Sequence, residues 1–207
     1  MQRIAQILFF VLVVKPFLVL FLGLRVRGRQ YLLNKDPFIL VANHASHLDT
    51  VALLGSFPLS RLAKIRPVAA ADYFERNPIV SRFTRTFFNI LPIARARFGP
   101  ETNPLNAMGA ALKAGESLVF FPEGTRDTKG KPFHFQPGIA HLLEKWPDVP
   151  VVPSYLQNTG RSLPKGSFLP VPLFCEVRLG PAQHPTGSRS EVVASLEAAV
   201  LALKEQE

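Results

Sequence analysis

The chain has 207 residues, enough for one α/β domain with a hydrophobic core, and no linker or internal repeat divides it. Its net charge of +9 is uneven, because residues 1–100 carry 14 Lys and Arg against 4 Asp and Glu, whereas residues 101–207 carry 10 against 11. A basic half favours anionic lipid or an anionic substrate as partner, and no helix-turn-helix, zinc or RNA-binding signature supports nucleic acid. The single cysteine, Cys175, excludes an internal disulfide and lies in an apolar stretch typical of a buried, inert thiol.

The N-terminal segment, residues 4–24, is almost wholly apolar, and as a helix it would extend about 31 Å, close to the hydrocarbon thickness of a bilayer. Pro16 should kink or split such a helix, and Lys15 is costly at the centre of a membrane. Two short helices dipping into one leaflet are therefore favoured over one straight spanning helix, and a buried core helix is the third alternative. Three arginines follow the segment, at Arg25, Arg27 and Arg29. They suit anionic headgroups and place the globular part at the cytoplasmic face of the inner (plasma) membrane.

The remainder, residues 28–207, is predicted to form one globular domain, separate from a membrane-associated helical segment at residues 1–27. Apolar runs predict strands at residues 24–26, 38–42, 68–71, 90–94, 117–121, 149–155 and 174–179. Helical patterns fall at residues 48–55, 78–88, 104–114, 138–146 and from the capping box Ser188 to Glu191 onward. This alternation predicts an α/β fold, a single layered domain with a largely parallel or mixed central sheet flanked by helices.

The first polar string follows a predicted buried strand and reads Asn43-His44-Ala45-Ser46-His47-Leu48-Asp49. The carboxyl end of a buried strand is where α/β proteins place ligands. His44 should lie in the turn and Asp49 in the first turn of the next helix, so the carboxylate can bind one imidazole nitrogen and leave the other as a base. Such a base suits removal of the proton of an alcohol that attacks a carbonyl. Taken alone, this spacing is more often a helix cap beside a surface histidine, and His47 is a weaker candidate for the base.

The second polar string also follows a predicted strand and reads Phe121-Pro122-Glu123-Gly124-Thr125-Arg126. The proline and the glycine bend the chain, and Gly124 lets the backbone approach a ligand closely. Thr125 and Arg126 can hydrogen-bond a phosphate, the arginine in bidentate fashion. Glu123 can accept a hydrogen bond from a substrate hydroxyl or orient Arg126. The structural alternative is a polar turn with a surface ion pair.

Two further segments complete the set of candidate site features. Arg95 ends the predicted strand at residues 90–94, and Arg97 follows two residues later, so both can serve an anion site or simply end a solvated basic strand. The apolar run at residues 149–153 contains two prolines, which predict an edge strand or a strand terminus. Its expected role is to shape an acyl pocket rather than to take part in chemistry.

The four blocks, in this order and at these spacings, resemble those of the glycerophospholipid acyltransferase superfamily. The blocks are Asn-His-x-Ser-x-x-Asp, an Arg-ended strand, Phe-Pro-Glu-Gly-Thr-Arg and a proline-flanked apolar strand. The closest resemblance is to bacterial 1-acylglycerol-3-phosphate (lysophosphatidic acid) acyltransferases. It extends from the N-terminal apolar segment to near Gly180, and the first and third blocks are the most specific.

This resemblance implies that His44 is the base that activates the acceptor hydroxyl and that Asp49 supports it. It also implies a group of residues that hold the acceptor and its phosphate, to which the sequence itself adds Thr125: Arg95, Glu123, Gly124 and Arg126. The acyl donor would be a thioester of coenzyme A or acyl carrier protein, and no metal or other cofactor would be needed. The implied reaction transfers a fatty acyl group to a lysophospholipid hydroxyl, which yields phosphatidic acid when the acceptor is 1-acylglycerol-3-phosphate.

Two departures from the family pattern keep other functions open. The second block begins with Asn89 where glycine is usual, which leaves room for glycerol-3-phosphate, a lysophosphatidylcholine-type lipid or a lyso-aminolipid as acceptor. Asp127 follows Arg126 where serine is common. The remaining alternative is a non-enzymatic protein that binds anionic membranes and uses these strings only as turns.

Overall fold

Seven strands form one mixed sheet in the structure, a computed structural model that describes residues 2–32, 37–74, 77–94, 103–124, 133–164, 166–167 and 169–205. The strands are β1 (Arg25–Arg27), β2 (Ile39–Ala42), β3 (Ile65–Ala70), β4 (Leu91–Ile93), β5 (Ser117–Phe120), β6 (Val151–Gln157) and β7 (Glu176–Leu179). Their order across the sheet is β1-β7-β6-β2-β5-β3-β4. Strands β2 to β6 run parallel, whereas β7 is antiparallel to β6 and β1 is parallel to β7. The predicted α/β fold with a mixed sheet is confirmed.

Helices cover both faces of this sheet. They are α1 (Gln2–Phe9), α2 (Leu48–Ser56), α3 (Ala71–Phe74), α4 (Pro78–Phe88), α5 (Pro104–Lys113), α6 (Gly138–Lys145), α7 (Thr159–Ser162) and α8 (Arg189–Lys204), with 3₁₀ turns at Arg29–Tyr31 and Leu59–Lys64. Alternate residues of β2 serve the two faces, because side chains of a strand point to opposite sides. Leu40 packs with the N-terminal helix and α2, whereas Ile39 packs with α5, α6 and α8. The result is a three-layer domain with β2 at its centre.

The N-terminal apolar segment forms one continuous helix and not the two short helices that Pro16 predicts. Helix α1 continues into π-helical stretches at Phe10–Val14 and Phe17–Phe21, whose hydrogen bonds span five residues. Pro16 keeps helical backbone angles, φ −56° and ψ −45°. The wider hydrogen-bond register on both sides accommodates a residue that has no amide hydrogen to donate. We refer to residues 2–21 as the N-terminal helix.

One stripe of the N-terminal helix packs on the domain, and its residues recur every four positions: Gln6, Phe10, Val14, Leu18 and Leu22. Gln6 Nε2 also donates a hydrogen bond to the carbonyl of Phe87 in α4 (3.1 Å). Other apolar side chains of the helix are exposed: Ile4, Leu8, Val11, Leu12, Val13, Val19, Leu20 and Phe21. Among the described residues, one helix, Arg3–Phe21, is long and apolar enough to cross a membrane. The boundary at residue 27 stays a prediction, and β1, just before it, pairs with β7.

Pro150 directly precedes the first residue of β6, Val151, so one of the two prolines marks a strand terminus as predicted. Strand β6 is, however, not an edge strand. It lies between β2 and β7 in the sheet interior, with Pro153 opposite Val41 of β2. The antiparallel ladder to β7 ends at the pair Ser154 and Leu179, so no β7 carbonyl needs a donor at Pro153. The carbonyl of Pro153 still accepts the amide of Gly180 (2.9 Å). A proline is therefore tolerated here because the neighbouring strand ends one residue earlier.

Asn89, the departure from glycine in the second block, has a backbone explanation. It ends α4 in the left-handed conformation, φ 54° and ψ 34°, which glycine and asparagine tolerate better than other residues. Its side-chain amide donates to the carbonyls of Ala63 and Ile65 (both 3.1 Å), and Arg66 Nε donates to its own carbonyl (2.9 Å). Asn89 thus joins α4 to the start of β3.

We expect Asn89→Ala to lower the free energy of unfolding by about 2–4 kcal/mol. The variant loses the two hydrogen bonds of the Asn89 side chain, and alanine adopts the left-handed conformation less readily than asparagine. Asn89→Gly should cost less, since glycine adopts this conformation freely. Urea unfolding of both variants in detergent checks the order. An equal loss in the two variants would contradict the backbone explanation.

Candidate active site

The two polar strings meet at one edge of the sheet. Strands β2 and β5 are parallel neighbours, with Val41 opposite Phe120, so their carboxyl ends lie side by side. Asn43 and His44 continue from β2, and Phe121 to Glu123 continue from β5. This edge is also where open parallel sheets bind ligands. The pairing of β2 with β5 therefore brings together residues 79 positions apart in the sequence.

His44 and Asp49 form a hydrogen-bonded pair, as their spacing predicts. His44 Nδ1 lies 2.9 Å from Asp49 Oδ2. Asp49 stands in the first turn of α2 and is completely buried, whereas the His44 side chain is 20% exposed. A carboxylate near the start of a helix interacts favourably with the helix dipole. The imidazole thus reaches solvent while its partner stays inside the protein.

The Asp49 carboxylate also fixes the backbone that carries His44. Its Oδ2 accepts hydrogen bonds from the amides of Ala45 and Ser46, each 2.7 Å long. Because an ionised carboxylate oxygen can only accept hydrogen bonds, we assign His44 Nδ1 as the donor in the third contact. The other ring nitrogen, Nε2, then carries the lone pair in the neutral imidazole, which makes it the atom suited to accept a proton.

An aromatic ring from the second string holds the imidazole from one side. The rings of His44 and Phe121 are stacked, with centroids 4.2 Å apart and an angle of 21° between their planes. Phe121 follows directly after β5, so the strand that carries the second string also sets the plane of the imidazole. The ring is therefore restrained both by a hydrogen bond in its plane and by a stacking contact on its face.

Glu123 contacts the first string rather than remaining free to bind substrate with both oxygens. Its Oε1 accepts the backbone amide of His44 (2.7 Å). The following residue, Gly124, has φ 70°, a conformation that favours glycine, and the turn closes with a hydrogen bond from its amide to the carbonyl of Phe121 (3.1 Å). The sequence interpretation of Glu123 missed this bond, whose donor is a backbone atom that no motif displays.

Two other residues of the first string hold it to distant parts of the chain. The Asn43 side chain pairs with the backbone of Leu156, donating from Nδ2 to its carbonyl (3.0 Å) and accepting its amide at Oδ1 (2.7 Å). It thereby extends the β2–β6 ladder by one residue beyond Ala42. Ser46 Oγ donates to the carbonyl of Leu163 (2.8 Å) and accepts the amide of Leu48 (3.1 Å). Sequence reasoning offered these two residues only as helix caps.

Three predicted site residues lie outside the described part of the chain: Arg95, Thr125 and Arg126. Their roles stay predictions, as does that of Asp127. His47, the weaker candidate base, is exposed, and the Asp49 contact goes to His44. Within the described ranges, no group of three or more His, Cys, Asp or Glu side chains is arranged to hold a metal ion.

Comparison with known proteins places this geometry in a family. Residues 23–157 match the family model described as Acyltransferase. A chloroplastic 1-acyl-sn-glycerol-3-phosphate acyltransferase of Brassica napus is 31% identical over 69% of this chain and 39% of its own length. A 1-acyl-sn-glycerol-3-phosphate acyltransferase of Pseudomonas aeruginosa is 30% identical over 83% of this chain and 63% of its own length. The chain thus spans less than two thirds of the length of these relatives.

The fold agrees with that of a solved structure over the whole chain. The crystal structure of the 1-acyl-sn-glycerophosphate (LPA) acyltransferase, PlsC, from Thermotoga maritima superimposes with a TM-score of 0.69. The alignment covers 100% of this chain and 99% of that one, at 22% sequence identity. Because the family model spans the first string, the second string and most of the sheet, the chain belongs to the acyltransferase family.

Proposed function

We propose that the protein transfers a fatty acyl group from an acyl thioester to the hydroxyl of a lysophospholipid, with 1-acylglycerol-3-phosphate as acceptor and phosphatidic acid as product. The His44–Asp49 pair carries this proposal, because its geometry leaves Nε2 of a partly exposed imidazole as a proton acceptor. The acceptor follows the names of the Brassica napus and Pseudomonas aeruginosa relatives.

The reaction needs one base and no covalent enzyme intermediate. His44 Nε2 takes the proton of the acceptor hydroxyl while its oxygen attacks the thioester carbonyl carbon. The carbon–sulfur bond then breaks, the ester forms, and the departing thiolate receives the proton from the imidazolium. Asp49 favours the imidazolium because its carboxylate oxygen accepts from Nδ1 throughout. A thioester is already activated, so positioning and a single base can supply the required acceleration.

The donor is coenzyme A or acyl carrier protein, and the acceptor phosphate is held by the cationic and turn residues of the second and third blocks. We assign this role to Gly124 and, in the parts of the chain outside the described ranges, to Arg95, Thr125 and Arg126. Glu123 supports the same turn through its bond to the His44 amide. No metal or other cofactor takes part in this proposal.

The protein works at a membrane, at the cytoplasmic face of the inner (plasma) membrane. The exposed apolar side chains of the N-terminal helix support this location, as do the exposed arginines at positions 25, 27 and 29 that follow it. A helix with one docked stripe and an otherwise exposed apolar surface suits contact with lipid better than with water. The globular domain would then sit against the surface from which its acceptor lipid comes.

Asn89, which stands where glycine is usual and left room for other acceptors, has a structural role unrelated to the acceptor. Asn89 lies at the end of α4 with its amide on the carbonyls of Ala63 and Ile65, and its left-handed backbone accounts for both asparagine and glycine at this position. It therefore gives no reason to prefer a lyso-aminolipid or a lysophosphatidylcholine-type lipid over 1-acylglycerol-3-phosphate.

We expect His44→Ala to lower kcat by about 10²–10⁴-fold, the range typical of a lost general base. His47→Ala is the matched control, since it removes the neighbouring exposed imidazole and should keep nearly full activity. Thiol release from acyl-CoA or acyl carrier protein, with and without 1-acylglycerol-3-phosphate, measures both variants. Normal turnover by His44→Ala would exclude the mechanism, and vesicle binding by a wild-type chain without any turnover would favour the non-enzymatic alternative.

Two variants of Glu123 separate a positioning role from a role in binding the acceptor. Glu123→Gln keeps an oxygen that can accept the His44 amide, so kcat should fall by less than about tenfold. Glu123→Ala removes that acceptor and should lower kcat by roughly 10–100-fold, about the effect of losing a charged hydrogen bond. Steady-state kinetics over a range of acceptor concentrations checks both. Equal losses in the two variants, mainly through a higher acceptor KM, would instead assign the carboxylate charge to acceptor binding.

A further inference from the structure

A short apolar loop between α7 and β7 remains unexplained by the site. Its six residues, 169–174, read Leu-Pro-Val-Pro-Leu-Phe and carry no charge. Leu169 is 81% exposed and Phe174 is 75% exposed, and among the large apolar side chains of the described residues only Leu20 is more exposed than Leu169. Exposed apolar side chains this close together in sequence are uncommon on a surface that faces only water. We call this segment the Leu169–Phe174 loop.

The loop lies at the carboxyl end of the N-terminal helix. A Cβ built on Gly23 would come within 2.5 Å of the Phe174 ring, so the ring lies directly over that glycine. The amide of Cys175 donates to the carbonyl of Leu22 (3.1 Å), which joins the end of the loop to the end of the helix. The end of the loop therefore lies against the carboxyl end of the N-terminal helix.

Several backbone groups of the loop either lack a hydrogen to donate or already form hydrogen bonds within the protein. Pro170 and Pro172 have no amide hydrogen, and the amides of Val171 and Leu173 donate to the carbonyls of Ser162 and Val171 (2.7 and 2.9 Å).

Three nearby side chains donate further hydrogen bonds to carbonyls of the loop. The carbonyls of Val171, Leu169 and Phe174 accept from Ser162 Oγ, Ser167 Oγ and Asn158 Nδ2. Moving a backbone group out of water is costly mainly when its hydrogen bonds are unmade. The bonds named above already occupy two of the four amides and three of the six carbonyls of the loop.

The charges around the loop are complementary to those of an anionic bilayer. Residues 1–31 contain no acidic residue, and neither do residues 159–175, which include Arg161 and Lys165. The exposed Arg25 and Arg29 lie next along the chain from the helix end that the loop contacts, whereas Arg27 between them pairs with Glu176. An apolar tip beside basic side chains is the pattern of segments that lie in the interface of a membrane.

From these observations we propose that the Leu169–Phe174 loop inserts into the interface of an anionic lipid bilayer as a second contact beside the N-terminal helix. The inference rests on the membrane association proposed above. It has a consequence for the site, because Leu163, at the base of the loop, accepts the hydrogen bond from Ser46 Oγ. Insertion of the loop would hold the His44 turn at the level of the lipid headgroups, where a lysophospholipid presents its hydroxyl.

Site-specific fluorescence tests this contact without using activity. Cys175 is buried and burial raises the pKa of its thiol, so a polarity-sensitive thiol probe should label only an introduced cysteine. Leu169→Cys reports on the loop, Leu12→Cys on the exposed side of the N-terminal helix, and Leu201→Cys on the exposed side of α8, across the sheet. Each labelled chain is mixed with vesicles of phosphatidylglycerol and phosphatidylcholine, with or without nitroxide-labelled acyl chains.

We expect the probes at positions 169 and 12 to shift to the blue and to be quenched by the nitroxide lipid, and the probe at 201 to stay unchanged. Quenching at 12 but not at 169 would overturn the loop proposal and leave membrane association intact, whereas no quenching at either would remove both. A blue shift at 169 without vesicles, together with a doubled mass, would assign the loop to a contact with a second copy of the chain and also overturn the proposal.

A partition measurement gives an independent check. The double variant Leu169→Glu, Phe174→Glu should bind the same vesicles at least about tenfold more weakly than the wild type. Each substitution removes an apolar side chain and introduces a carboxylate that opposes insertion. Leu201→Glu, on the other face of the sheet, should bind like the wild type. Unchanged binding of the double variant, with a wild-type circular dichroism spectrum, would contradict the proposal.

Discussion

The geometry of the site depends on one oxygen atom, Oδ2 of Asp49. It accepts the amides of Ala45 and Ser46 and the Nδ1 hydrogen of His44, so a single buried acceptor sets both the turn and the imidazole that the turn carries. Removing a buried acceptor of this kind leaves its donors unsatisfied, at a cost of about 1–3 kcal/mol for each. The turn, the start of helix α2 and the imidazole are therefore joined through this one carboxylate.

The neighbouring strands of the sheet provide further contacts that hold the His44 turn. The parallel pairing of β2 with β5 places Phe121 on the imidazole and Glu123 on the His44 amide, while Asn43 ties the same turn to β6. Contacts from residues that follow three neighbouring strands thus restrain His44, and such restraint is what positioning of a reactive side chain requires. The N-terminal helix packs on the same face of the sheet as α2, so its exposed apolar side chains and the His44 turn belong to one layer of the fold.

Sequence reasoning predicted the parts of this arrangement that depend on local chemistry. The strand-turn-helix order around His44 and Asp49 indicated that the two side chains can meet, and the structure confirms this contact, the capping box at Ser188 and the start of α4 at Pro78. It could not predict the bonds of Asn43 and Ser46, whose partners lie 113 and 117 residues away and are backbone groups. Such partners depend on strand order, which local patterns do not encode.

Two prolines interrupt their elements less than the sequence predicts, and for a common reason. Pro16 was expected to kink or split the N-terminal helix, and Pro153 to lie in an edge strand or at a strand terminus, because both rules assume that the missing amide must disturb a regular ladder. In the structure the ladder itself adapts, through π-helical bonding around Pro16 and through the early end of β7 beside Pro153. Whether a proline disrupts an element thus depends on neighbours that only the tertiary fold provides.

The central claim, that Asp49 holds His44 with Nε2 as the base, is tested most directly by the tautomer of the imidazole. Nitrogen-15 NMR of histidine-labelled protein, with His44→Ala to assign its signals, distinguishes a protonated from an unprotonated ring nitrogen. The account predicts that neutral His44 carries its hydrogen on Nδ1 and leaves Nε2 unprotonated, and that Asp49→Asn weakens this preference. A neutral imidazole protonated on Nε2 in the wild type would contradict it.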